Sequence, residues 1–171
     1  MKKFIFIFAL ILALVPSSLW AVSGSCTQAV DTVRTKENFI SFKALTFNCT
    51  WGTAGDAATD LTATVTDANM LEITGLFLIG CFTYNGATAP TALYGFVLRE
   101  TVGSTADAVD IFGTAGMNRP GTAGVSSQFK PITDTTYATG GLRPVLNTLK
   151  LTASGNAVAS GNAILQCIFS K

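Results

Sequence analysis

The chain has no histidine, and charged residues make up only 12% of it. Without imidazole, the commonest general base and the triads built on it are excluded. No two of the four cysteines have CxxC spacing, and no histidine accompanies them, so a zinc site is not expected. There is no glycine-rich phosphate loop and no long run of one charge. Past the N-terminal segment, no stretch of 18 or more apolar residues occurs, so no further membrane span is expected.

The N-terminus shows a short basic region and an apolar run. Lys2 and Lys3 precede Phe4–Val15, and Pro16-Ser17-Ser18 ends the run. Small residues follow at Ala21, Ser23 and Gly24. That order is the layout of a secretory signal peptide, assigned to residues 1–23. An uncleaved anchor is the alternative. A lipid on Cys26 is disfavoured because Ser23 stands where an apolar residue is needed. Setting aside Lys2 and Lys3 leaves 9 basic against 10 acidic residues. A near-neutral chain gives no steering toward nucleic acid, and no membrane contact is expected once the leader is gone. The expected location is exported, periplasmic or extracellular.

Residues 24–171 are long enough for one domain. Cys26, Cys49, Cys81 and Cys167 are an even set in an exported chain, which reads as two disulfides. Three pairings are open, and one disulfide with a pair of buried thiols is the alternative. Thr, Ala, Gly and Val dominate the rest. "LTFNCTW", "LTATVT" and "TLKLTAS" alternate apolar and polar residues, the period of a half-buried strand. "LEITGLFLIGCFTY" (Leu71–Tyr84) and "AILQCIFS" (Ala163–Ser170) are apolar at both parities. Such strands are covered on both sides, in a sandwich interior or at a subunit contact. A buried helix is the competing reading of the first of them, but Gly75 and Gly80 within it argue for a strand with a bend or bulge. Asn85-Gly86 predicts a turn, and "SGNAVASGN" (Ser154–Asn162) suits a hairpin loop between the last two strands. Helical spacing is confined to Thr27–Lys36. The expected fold is all-β, a single antiparallel sandwich of jelly-roll or immunoglobulin-like type with about seven or eight strands.

Two aspartate pairs are the candidates for acid chemistry, Asp107 with Asp110 and Asp56 with Asp60. Both lie at loops, where aspartate serves turns, so neither a glycosidase pair nor a calcium site is assigned. Asn48-Cys49-Thr50 matches a glycosylation pattern but falls mid-strand. Arg119, in "GMNRPGT", suits either a clamp on loop carbonyls or a partner contact. No catalytic residue, metal or cofactor is assigned.

"GATAPTALYGFVLRETVGSTADAVDIFGTAGMNRPGT" (Gly86–Thr122) resembles the central signature of a family of small β-rich proteins encoded in tailed-phage structural regions. The resemblance rests on Ala89-Pro90-Thr91, Leu93-Tyr94, Asp110-Ile111, Gly113, Gly116 and Asn118-Arg119. The later "RPVLNTLKLTASGNAVASGNAILQCIF" is similar to its closing hairpin, a strand, a Gly/Asn loop and a last strand, so the likeness covers about Leu45–Phe169. It implies a virion-associated structural subunit with no catalytic residue. This chain departs from the family in its diluted acidic turn, "VGSTADAVD", in its cysteines and in its signal peptide. The expected role is a non-enzymatic structural or attachment subunit, with other protein subunits as partners in a homo-oligomer. The expected contact is a loop carrying Asn118, Arg119 and Thr122. A monomeric, exported, carbohydrate-directed binding module is the alternative.

Overall fold

Alternating threonines and apolar residues give an extended chain one wet and one oily side, and strands form where that alternation runs. The computed structural model describes residues 22–34, 41–53, 56–101, 109–112, 116–129 and 144–171. Among these there are nine strands. They are β1 (Ser25–Arg34), β2 (Ser41–Thr50), β3 (Leu61–Thr64), β4 (Phe77–Asn85), β5 (Gly95–Glu100), β6 (Val109–Asp110), β7 (Ser126–Phe129), β8 (Leu149–Ser154) and β9 (Asn162–Ser170). The signal-peptide assignment falls almost wholly on residues outside this set, as do Asp107 and Gly113.

The strands form two antiparallel sheets, ordered β1-β2-β9-β4-β7 and β3-β8-β5-β6. The pairings are nested: β2 with β9, β3 with β8, β4 with β7, and β5 with β6. The chain thus goes out and returns as one long hairpin. That hairpin is rolled so that β4 also pairs with β9 and β5 with β8. This is the strand order of a jelly roll, with β1 added outside β2. The immunoglobulin-like order is not present.

Three local expectations are corrected. The described part of Thr27–Lys36 is not helical; it belongs to β1, which pairs with β2 along its whole length. Leu71–Tyr84 is not one strand. It holds the end of a helix, α1 (Asp67–Ile73), then a turn at Gly75 with φ +80°, then β4. Thr66 caps α1, its Oγ1 accepting the Asn69 amide at 3.4 Å, and Met70 and Ile73 face the core. The third correction concerns Ser154–Asn162. That loop is no hairpin, because β8 and β9 lie in different sheets and it crosses between them. The bulge expected near Gly80 is present, where the β4–β9 register shifts between Leu78 and Gly80.

The core lies between the sheets. Leu45 and Phe47 of β2, Leu165 and Phe169 of β9, Phe96 and Leu98 of β5, and Leu149 and Leu151 of β8 are all buried. Each such side chain contributes about 1.5–3 kcal/mol relative to exposure. Trp51 meets Tyr94 edge to face at 6.0 Å, and Tyr94 meets Phe96 likewise at 5.6 Å. Both disulfides are cross-strand pairs. Cys26 lies opposite Cys49 and joins β1 to β2; Cys81 lies opposite Cys167 and joins β4 to β9. At the open side of the sandwich Gln28 of β1 laces the sheets together. Its Nε2 donates to the Thr64 carbonyl at 2.6 Å, and its Oε1 accepts the Thr66 amide at 3.3 Å. Lys43 of β2 forms an ion pair with Glu72 of α1.

Candidate functional site

The segment Gly116–Ser127 runs along one end of the sandwich, and a small set of side chains decides its shape. Arg119 is tied to Tyr94 through its backbone: its amide donates to the Tyr94 carbonyl at 2.8 Å, and its carbonyl accepts the Leu93 amide at 2.9 Å. Its guanidinium folds back on the same loop. Nε and Nη2 both donate to the Met117 carbonyl, at 3.0 and 2.7 Å. Nη1 reaches the Ser127 hydroxyl at 3.4 Å, and that hydroxyl is 2.7 Å from Thr83 Oγ1. Of the two roles open to Arg119, these bonds are those of the clamp. Partial burial pulls the guanidinium below its ordinary pKa, and the neighbouring Tyr94 acts in the opposite direction.

Asn85 is the second anchor. It ends β4 at a core-facing position and is 1% exposed. Its Nδ2 donates to the carbonyls of Pro120 at 2.5 Å and Thr122 at 2.9 Å. Its Oδ1 accepts the Tyr94 hydroxyl at 2.5 Å. Burial pushes the Tyr94 phenol up to about 12, while a hydrogen bond with Thr83 and the charge of Arg119 act against the rise. Gly121 is required because a Cβ there would overlap the Ala92 backbone. The loop is therefore held from below, with the side chains of Asn118 and Thr122 in solvent. Asn118 takes φ +56°, a left-handed conformation that asparagine tolerates better than most residues.

Two further polar residues, missed in the sequence, hold loops in the same way. Asn156 is buried in the β8–β9 crossover. Its Oδ1 accepts the amides of Thr91 and Val158, and its Nδ2 donates to the carbonyls of Ala57 and Val158, so three loops meet on one side chain. Glu100 is buried at the end of β5, where its Oε1 accepts the amides of Leu146 and Asn147 at 2.6 and 2.7 Å. The readable signal is parity. Asn85 continues the inward positions Cys81 and Thr83, and Glu100 continues Phe96 and Leu98.

The aspartate pairs come out differently. Asp110 Oδ1 accepts the Phe112 amide at 3.0 Å, which is turn chemistry, and its partner Asp107 is outside the described residues. Asp56 and Asp60 line a hollow of about 250 Å³ with Ser23, Ser25, Thr59 and Thr62. Among the described residues no three His, Cys, Asp or Glu side chains come together as a metal site would require. Asn48 is exposed, and its Oδ1 accepts from Asn162 Nδ2 at 2.8 Å. Among the described residues no helix is long and apolar enough to cross a membrane. The chain matches no protein-family model and no curated protein at a significant level of similarity.

Proposed function

We propose that this protein is a non-enzymatic structural or attachment subunit of an extracellular or virion-like assembly. The observation that carries this reading is where its buried polar groups are used. Asn85, Glu100 and Asn156, together with the clamp Arg119, all bond loop backbone. A domain built this way presents fixed loops and faces to a neighbour. Two disulfides suit an oxidising location outside the cytoplasm. Jelly rolls are a common architecture for both capsid and lectin subunits, and the resemblance to phage-encoded β-rich proteins points to the former. Because a fold alone does not fix a role, the reading is tested on particles. Supernatant and surface fractions from the producing cell are sedimented and probed for the chain. It is expected in a fraction far heavier than a 17.8 kDa monomer, together with other subunits. Recovery solely as free chain would refute the reading.

A second reading has one observation in its favour. Phe82 and Tyr84 stand side by side on an exposed strand face, as in a carbohydrate-directed module. Retention of the monomer on a glycan, abolished by Tyr84→Ala, would favour it.

A further inference from the structure

The two outer faces of the sandwich differ in chemistry. The face of the four-stranded sheet carries Thr62, Arg99, Asp110, Lys150 and Thr152, as a solvated antiparallel sheet should. The centre of the other outer face carries Ile79, Phe82 and Tyr84 of β4 and Ile164, Gln166 and Ile168 of β9. The register makes them contiguous. Phe82 lies opposite Gln166, Tyr84 opposite Ile164, and Ile168 opposite Gly80, beside the bulge that carries Ile79. Ile79, Phe82 and Tyr84 are 37%, 40% and 47% exposed, and among the described residues no element lies over them. No Asp, Glu, Lys or Arg occupies an outward position on β2, β4, β7 or β9, and on the edge strand β1 the one outward charge is Asp31, opposite Ala44.

We propose that a second copy of this chain covers this face, five-stranded sheet against five-stranded sheet. The inference rests on the assembly reading above and names the surface that assembly uses. A face whose centre is uncharged, with Asp31 only at its rim on β1, can meet its own copy about a two-fold axis without like-charge repulsion in the middle of the contact, which the Lys150 and Arg99 face cannot do as easily. The three isoleucines decide against a sugar. They offer no hydrogen bond to a hydroxyl, and a polyol laid over them would leave its groups unpaired. Size is also adequate. The four long strands β1, β2, β9 and β4, about 4.8 Å apart and roughly nine residues long at about 3.3 Å each, cover ~600 Å² in projection. Side-chain relief raises that toward the ~800 Å² per partner of a standard interface. Gln166 beside Phe82 supplies an amide that can pair across the axis.

Sedimentation of the oxidised, exported protein over a wide concentration range tests this. The natural chain is expected to associate reversibly. Phe82→Glu with Tyr84→Glu should weaken that association at least about a hundredfold, the size expected for two central aromatic anchors. Both side chains point outward, so melting temperature and disulfide content should be unchanged. Gln166→Glu, which adds charge at a position already polar, gives a second readout, with an expected loss of about tenfold. An oligomer that survives both variants overturns the surface and leaves the assembly reading intact. A natural chain that stays monomeric at every concentration and enters no particle overturns both. A monomer that binds a glycan through Tyr84 overturns the proposal in favour of the binding module.

Discussion

Replacing Asn85 should loosen the loop at 116–125 more than any other single change at this end of the molecule. The side chain makes three hydrogen bonds from a position 1% exposed, two to the carbonyls of Pro120 and Thr122 and one from the Tyr94 hydroxyl. Each contributes about 1 kcal/mol net, and the groups left unpaired in a buried site add to the loss. Asn85→Ala is therefore expected to cost about 3–4 kcal/mol, a large part of the ~5–15 kcal/mol that holds a domain together. For a chain of this size that lowers the melting temperature by about 10 °C. Asn85→Asp keeps an acceptor for Tyr94 but loses both donors and sets a carboxylate against two carbonyls, so it should be at least as damaging at neutral pH. Thermal unfolding of the oxidised protein by circular dichroism reads these shifts, and limited proteolysis shows whether cutting moves to 116–125. A double-mutant cycle with Tyr94→Phe should give a coupling of about 1 kcal/mol. Melting within about 1 °C of the natural chain for Asn85→Ala, or no coupling to Tyr94, would refute the reasoning.

Three other outcomes follow from the same structure. The folded state holds the Tyr94 proton more tightly, with its pKa raised from 10.0 to about 12, so the stability it contributes is whole below pH 10 and is lost between about 10 and 12. The loss should be about 2–3 kcal/mol, and urea titrations of Tyr94→Phe should show a flatter profile across that window. Glu100→Ala should cost about 3 kcal/mol and Glu100→Gln about 1, because glutamine keeps an acceptor for the Leu146 and Asn147 amides; chemical denaturation separates them. Replacing Cys81 and Cys167 by serine should destabilise more than replacing Cys26 and Cys49, about 4.6 against about 3.4 kcal/mol, since sequence separations of 86 and 23 close loops of different length. Equal melting temperatures for the two double variants would contradict that order.

The local half of the fold was legible in the sequence. Alternation in "LTFNCTW", "LTATVT" and "TLKLTAS" marks β2, β3 and β8, and Gly80 marks the bulge. What escaped depends on contacts distant along the chain. Ser154–Asn162 has hairpin chemistry, yet its flanking strands pair with β5 and β2 instead of with each other. The pairing of the cysteines follows from the registers β1–β2 and β4–β9, which no spacing reveals. Helix α1 was hidden by its length of seven residues, although Thr66 and Asp67 form a recognisable start. At the candidate site, Arg119 in "GMNRPGT" stands out in the sequence and suits a clamp, whereas the second anchor, Asn85, reads there only as part of a turn. Asparagine and glutamate at inward parity were the overlooked sign, because a polar group in a core position must be bonded to something.

The sandwich sets β1 beside β2 and β4 beside β9, and peptide mapping of the unreduced, exported protein by mass spectrometry tests that arrangement most directly. The expected result is two linked peptide pairs, Cys26 with Cys49 and Cys81 with Cys167, and no free thiol. A link between Cys26 and Cys81 or Cys167, or four reduced cysteines in the exported chain, would contradict the account.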